Sequence, residues 1–307
     1  MKIFKSINEI NTTDEVVCAL GNFDGVHRGH QELISTAVKL AKEKGLKAAV
    51  FTFTEHPINV MSGSVITKTI LNFDDKAEIL EAMGVDYLFS IDFADVRSMS
   101  PEEFVKDLLV TKLHVKHTVC GFNFTFGYKA SGNHEDLKAF GKIYDYEATI
   151  IEPVQVDGIT VSSTLIRGCI EKGDVESYLS YTGRVYMIYG TVIEGEHNGR
   201  KMGFPTVNLN LDSSMALPAN GVYFTRTYVG DKLYPSITNV GNKPTIGTFA
   251  KNAETHIFNF TENAYGMPIK VDFLKMHRAE QRFENMEILA KQIDSDCLAA
   301  KNYHKID

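Results

Sequence analysis

The amino-acid sequence predicts an α/β domain built on a parallel sheet, followed by an antiparallel β-barrel that carries a terminal helix. Over the first half, short β-rich runs alternate with stretches of helical periodicity, the pattern of a parallel sheet with helices on both faces. Beyond about residue 184 short runs rich in β-formers follow one another with Gly, Pro, Asn and Asp between them and no helix, which suits a closed antiparallel barrel. At 307 residues the chain has room for two domains of ordinary size. The change of texture falls near Tyr181 to Arg184, so the expected domains are 1–183 and 184–307.

In chain order, the first-half strands are EVVCAL (15–20), KAAVFTF (47–53), VDYLFSI (85–91), KHTVCG (116–121) and YEATIIEPV (146–154). After the first of them, Leu33, Ile34, Ala37, Val38, Leu40 and Ala41 recur with helical spacing and leave Gln31, Glu32, Ser35, Thr36, Lys39 and Lys42 to water, a one-sided helix. Asp75 with Glu78, and Ser100-Pro101 with Glu103, have capping-box spacing, while Gly45 and Gly84 sit where helices end. Ligands of such a sheet bind beyond the strand C-termini. The barrel strands are RVYMIYGTVI, FPTVNLNL, GVYFTRTYV, LYPSITNV, ETHIFNF and IKVDFL. From Asn285 onward Met286, Leu289, Ala290, Ile293, Cys297 and Ala300 trace one face of a final helix.

A composition of 44% hydrophobic and 23% charged residues is that of a globular protein. The net charge of -7 argues against nucleic acid as the main partner, because phosphate binding on that scale needs a clustered Lys/Arg excess. No run of 18 apolar residues occurs, and MKIFKSINEI lacks the apolar core of a signal peptide, so a cytoplasmic protein without a membrane partner is expected. Cys18, Cys120, Cys169 and Cys297 are widely spaced and read as buried small hydrophobes.

The stretch ALGNFDGVHRGHQELI (19–34) joins a strand to the first helix and places His27 and His30 around Gly29. Three readings fit that spacing. The pair holds a metal, although H-E-x-x-H spacing is absent; or one imidazole caps the turn; or both act on an anion. In the last reading the helix N-terminus offers free N–H groups, Gly29 lets a phosphate approach, and the imidazoles add directed donors. Downstream, SSTLIR (162–167) starts with hydroxyls suited to a helix cap, so Ser162, Ser163 and Thr164 can donate to a phosphate chain while Arg167 supplies a planar cationic fork. GFNFTFG (121–127) sets Phe124 and Phe126 beside the amide of Asn123, an arrangement for a flat ligand with polar ring edges, or simply core.

In the second half, GTVIEGEHNGRKMGFPTVNLNL (190–211) repeats glycine at 195, 199 and 203 and then presents Thr206 and Asn208 on one strand face. The glycines permit a loop that wraps phosphates, or are plain turn chemistry. Two oxygen ligands on one face suit Mg²⁺. A G-x-x-x-x-G-K-[ST] loop is absent, which excludes a P-loop kinase.

GNFDGVHRGHQ resembles the H-x-G-H signature of the nucleotidylyltransferase superfamily. With FTFTEHP, MSPEEFV, GFNFTFGYKASGN and VSSTLIR following in order, it resembles the bacterial bifunctional riboflavin kinase/FMN adenylyltransferase, or FAD synthetase, family. GRKMGFPTVN similarly resembles the G-x-x-x-G-x-P-T-x-N segment of riboflavin kinases, with Val207 where alanine is usual, and GVYF, ITNVGNKPTIG and ETHIFNF follow it. Asn123 stands where many members carry Asp, Glu55 where proline is common, and Glu194 where histidine is frequent.

The resemblance implies a Rossmann-like nucleotidylyltransferase domain and a riboflavin kinase barrel. It implies that riboflavin and ATP give FMN and ADP, and that FMN and ATP then give FAD and pyrophosphate, with Mg²⁺ in both steps. Catalytic roles then fall to His27, His30, Arg167 and Glu254, the last as general base for the riboflavin hydroxyl. ATP contacts fall to Gly21, Phe23, Asp24, Gly29, Ser162, Ser163 and Thr164 in the first half and to Gly195, Gly203 and Pro205 in the second. Flavin contacts fall to His56, Asn123, Phe124 and Phe126, and metal ligation to Thr206 and Asn208. Asn239 and Lys243 are further candidates near the second site. A chain with one of the two activities, or a flavin-binding regulator without turnover, is the alternative; a homo-oligomer stays open.

Overall fold

The computed structural model describes residues 1–194, 203–245 and 248–307, with backbone alone for 243–245 and 248–250. It comprises two compact units, Met1–Ser163 and Thr164–Asp307.

The first unit carries strands β1 (Lys2–Phe4), β2 (Val16–Leu20), β3 (Lys47–Phe53), β4 (Tyr87–Ile91), β5 (Val115–Gly121), two short pairs β6 (Thr125–Phe126) with β7 (Gly132–Asn133), β8 (Glu147–Ile151), and β9 (Gln155–Val156) with β10 (Ile159–Thr160). Six of them form one parallel sheet in the order β1-β4-β3-β2-β5-β8. Sequence order reverses between β2 and β5, which are neighbours, so the crevice beyond the C-terminal end of β2 is the switch point where such sheets bind ligands. Strand β2 is buried along its whole length, as a central parallel strand covered on both faces must be. Strand β1 was not among the expected elements, since three residues carry no readable alternation.

Helix α1 (Arg28–Lys44) buries Leu33, Ile34, Ala37, Val38 and Ala41 and ends at Gly45 in the left-handed region. Each buried Leu, Ile or Val side chain there stabilises by about 1.5–3 kcal/mol. The remaining helices are α2 (Pro57–Ser62), α3 (Phe73–Ala82), α4 (Phe93–Val96), α5 (Pro101–Glu103) and α6 (His134–Tyr144), with a π-helical stretch over Phe104–Lys112 continuing α5. The Ser100–Glu103 capping box forms in both directions, at 2.7 and 3.2 Å. The cap of α3 differs from expectation: Asn72, not Asp75, is the N-cap, its Oδ1 accepting from the Asp75 N–H at 2.8 Å. Both residue types cap well, and burial of Lys76, Ala77 and Leu80 starts the helix one turn earlier.

The second unit begins within α7 (Ser163–Lys172), continues through α8 (Val175–Thr182), and then forms β11 (Tyr186–Thr191), β12 (Val207–Asn210), β13 (Gly221–Val229), β14 (Lys232–Thr245), β15 (Thr248–Ile257) and β16 (Pro268–Ala279). Their antiparallel order is β11-β16-β13-β14-β15-β12. Among the described residues the two outer strands meet at one bridge, the Ile193 N–H donating to the Asn208 carbonyl at 3.0 Å, which nearly closes the barrel. Inside, the hydroxyls of Thr225, Thr227, Ser236, Thr238 and Thr255 form a buried chain with links of 2.8–2.9 Å, so each polar atom buried there is satisfied.

Helix α9 (Met286–His304) covers part of the outer face, where Cys297 and Ala300 meet Val222, Phe224, Ile237 and Phe258. Its buried Asp296 accepts from Arg278 Nε at 3.0 Å to both oxygens, from Arg278 Nη2 at 2.7 Å and from Gln292 at 2.8 Å. All four cysteines are buried and free. No helix among the described residues is long and apolar enough to cross a membrane.

Candidate active sites

The loop from Gly21 to His27 leaves the buried end of β2 and enters α1. Three of its residues take positive φ: Phe23 at 48°, Gly25 at 80° and Val26 at 36°. Such values cost non-glycine residues free energy and persist where the surroundings over-determine them. The surroundings do so here. The Asn22 carbonyl accepts from Thr52 Oγ1 at 2.9 Å and from Lys76 Nζ at 3.4 Å. Asp24 is buried, its Oδ1 accepting from the Ile70 N–H at 2.9 Å and its carbonyl from Ser163 Oγ at 3.0 Å. Lys76 is buried as well; burial pushes its pKa below the ordinary lysine value, against the opposing pull of Asp24.

This tightened loop delivers the histidines. His27 is the N-cap of α1, its Nδ1 accepting from the His30 N–H at 3.3 Å. An accepting Nδ1 leaves the ring hydrogen of the neutral imidazole on Nε2, a donor. The two rings stack with centroids 3.7 Å apart and planes 18° apart, and Phe23 meets His30 edge-on at 5.2 Å. Capping and anion handling are thus compatible, because the cap fixes the tautomer. Among the described residues no cluster of three His, Cys, Asp or Glu side chains is placed to hold a metal ion.

Gly29 has a steric role beside its sequence rationale. A Cβ there would stand 3.2 Å from His27 Cε1 and 3.3 Å from Nδ1, so the missing side chain makes room for the capping imidazole itself. At Gly21 the neighbour is the Phe23 ring, 3.1 Å from where a Cβ would lie.

His56 caps α2, its Nδ1 accepting from the Ile58 N–H at 3.4 Å. Asn123 is exposed and Phe124 half-buried, whereas Phe126 belongs to the core, with Phe104 at 5.3 Å and Phe124 stacked on it at 5.8 Å. Phe126 therefore backs Phe124 rather than reaching the surface. Ser162 is exposed just before α7, Ser163 holds the Asp24 carbonyl, and Thr164 and Arg167 lie on α7 within the second unit.

On the barrel, strand register assembles the second set. Asn208 on β12 is the partner of Glu254 on β15, and Glu254 is in turn the partner of Asn239 on β14. Direct partners share a face, so these three side chains form a rank across three strands, on the outer face that also carries Val222 and His256. Asn208 is buried, Glu254 half-buried and Asn239 exposed. Asn252, two residues from Glu254 and buried, donates to Glu254 Oε1 at 3.3 Å. Thr206 is half-buried just ahead of β12, and the exposed Pro205 offers its carbonyl to His256 Nδ1 at 2.8 Å. Gly203 has φ 88° with open space around it, so backbone conformation alone requires glycine there. Gly195 and Gly199 lie outside the described residues, as does the side chain of Lys243.

Sequence reasoning missed Thr52, Lys76 and Asn252. Asn252 had a signal in its two-residue spacing from Glu254. Lys76 had none, because a lysine on a helix is by default read as solvated.

The sequence matches the model of a FAD synthetase family over residues 9–165 and that of a riboflavin kinase family over residues 182–304. Among curated relatives, the bifunctional riboflavin kinase/FMN adenylyltransferase of Bacillus subtilis is 36% identical over 296 residues, covering 94% of this chain and 92% of its own. The enzyme of the same description from Listeria monocytogenes is 35% identical, covering 93% of each chain. A solved structure described as a macrolide-efflux protein from Streptococcus pneumoniae has a TM-score of 0.90 at 31% identity and 98% coverage of both chains. The chain thus belongs to the bifunctional riboflavin kinase/FMN adenylyltransferase family.

Proposed function

We propose that the two reactions of flavin cofactor synthesis proceed at the two residue sets described above, adenylylation in 1–183 and phosphorylation in 184–307. In the first, an FMN phosphate oxygen bonds to the α-phosphorus of ATP and the bond to the β-phosphate oxygen breaks, giving FAD and pyrophosphate. FMN is itself the nucleophile, so the protein needs only to hold reactants in line and stabilise charge. His27 and His30 donate to the α-phosphate, the free N–H groups of α1 add partial positive charge, and Ser163 takes the β/γ end. His56, Asn123 and Phe124 meet the flavin, with Phe126 behind them.

In the second reaction Glu254 accepts the proton of the riboflavin 5′-hydroxyl as its oxygen attacks the γ-phosphorus, and ADP leaves. Thr206 and Asn208 present neutral oxygens beside that carboxylate. This donor set fits Mg²⁺, which prefers few protein ligands and takes the rest from phosphate and water. When bound, the metal would neutralise charge on the phosphate oxygens of ATP. A cytoplasmic location fits an enzyme that consumes ATP twice.

The observation that carries the reading is the His27–His30 stack at the switch point, with a hydrogen-bonded cap that leaves Nε2 as donor. The test is to incubate the purified chain with riboflavin, ATP and Mg²⁺ and resolve the flavins chromatographically. FMN and FAD are both expected; absence of both defeats the proposal, and supplying FMN in place of riboflavin isolates the second product.

A further inference from the structure

The ladder between β12 and β15 starts at the Val207–Thr255 pair. One step beyond it, Thr206 stands opposite His256 in register but outside the strand. Thr206 therefore lacks the ladder that fixes Asn208, although both must present oxygens on the same side for the proposed phosphorylation. Pro205 precedes it and has no N–H to give to a ladder.

Among the described residues, His256 holds this segment. Its Nδ1 lies 2.8 Å from the Pro205 carbonyl. A carbonyl only accepts, so Nδ1 carries the hydrogen. The ring is held in turn by Phe204 and Phe258, both edge-on, with centroids at 6.0 and 5.1 Å and planes at 84° and 88°. His256 also follows Glu254 by two residues on β15, which puts both side chains on one face. A single strand thus carries the proposed base and the group that fixes the turn facing it.

We propose that His256 is a positioning residue for riboflavin phosphorylation: its Nδ1–H tether on the Pro205 carbonyl replaces the missing ladder and sets Thr206 beside Asn208 and Glu254. This inference rests on the assignment of phosphorylation to the barrel face made above. His256 touches neither reactant; it acts through the backbone of Pro205.

The test uses the full chain and the variants His256→Ala, His256→Asn and His256→Gln. The Asn amide nitrogen reaches about where Nδ1 stands, while that of Gln reaches one bond farther. In His256→Ala the KM for ATP in riboflavin phosphorylation should rise about tenfold, the scale of one lost hydrogen bond, with FAD formation from supplied FMN unchanged. A smaller folded fraction lowers kcat but leaves KM alone, so the KM separates positioning from misfolding. Hydrogen exchange over residues 204–208, measured without ligands, should accelerate in the Ala variant. His256→Asn should restore both readouts and His256→Gln should not. An unchanged KM, unchanged exchange in His256→Ala, or an Asn variant no better than Gln overturns the proposal. If the unaltered chain forms no FMN, the assignment of function fails instead, and the exchange comparison alone still decides the tether.

Discussion

The two candidate sites are built by opposite means. The first is set by backbone conformation: three departures into positive φ within four residues, at Phe23, Gly25 and Val26, turn the chain sharply between β2 and α1. Buried partners on β3, on α3 and before it hold that turn. The second is set by pairing: Asn208, Glu254 and Asn239 occupy one line because three antiparallel strands share a register. A loop site of the first kind fails when one tether is cut. A register site of the second kind is protected by every ladder bond around it and is weak only where the ladder stops, at Thr206.

The largest expected effect tests whether the two sites are separate. His30→Ala removes an imidazole that stabilises charge at the α-phosphorus, and losses on removing such donors run to about 10²–10³-fold. FAD formation from FMN should fall by that order while riboflavin phosphorylation holds. Glu254→Gln should do the converse, with a loss on the order of 10²–10⁴-fold for a general base. Parallel losses of both activities in either variant would merge the two sites into one.

Asp296→Asn probes the covering of the barrel rather than its register. The carboxylate is buried and bidentate to Arg278, Nε on Oδ1 and Nη2 on Oδ2, and breaking a buried pair by changing one partner costs about 3–5 kcal/mol. Chemical denaturation should show the barrel transition shifted by that order, with the transition of the first unit in place. A shift confined to the first unit would contradict the partition at Ser163.

Lys76→Met sharpens the other side of the comparison. The ammonium donates to the Asn22 carbonyl and is buried near Asp24. Losing a hydrogen bond from a charged donor costs about 1.5–3 kcal/mol. A loop that depends on few tethers should turn that loss into function: FAD formation should drop about tenfold, more than the fall in folded fraction measured by circular dichroism. Equal falls in both would make Lys76 a stability residue only.

The same contrast explains what was legible in the sequence. Periodicity located α1 and α9 because those helices bury one face, and β-rich runs bounded by helical stretches or by turn residues located five strands of the parallel sheet and all six of the barrel. The motif residues were legible because each is a local arrangement: His27, Gly29 and His30 on one turn, Thr206 and Asn208 on one strand. Their supports were not. Thr52, Lys76 and Ile70 reach the loop from elements 30 to 54 residues away, and no window of sequence holds such a contact. The contact of Gly29 with the capping ring was hidden for a related reason: only the ring position of His27 shows that a Cβ there would crowd it. Phe126 shows the limit of a composition argument, since an aromatic run supplies both a surface ring and the ring behind it.

The smallest expected effect concerns pH and again divides the units. Burial pushes His256 and His304 on the barrel below the ordinary imidazole pKa, as it does His117 in the first unit, where the Glu147 carboxylate opposes the shift. A depressed base binds fewer protons folded than unfolded. Stability is therefore whole above the ordinary value of about 6.5 and is lost as pH falls from there towards the folded-state value. Two such imidazoles act on the barrel, so its unfolding midpoint should drop farther between neutral and mildly acidic pH than that of the first unit. His304→Asn removes the titrating group that bonds the Ser236 carbonyl at 3.2 Å and should flatten the barrel's pH slope without touching the other transition. A barrel midpoint that does not move with pH, beside a first-unit midpoint that does, would reverse the assignment of these histidines.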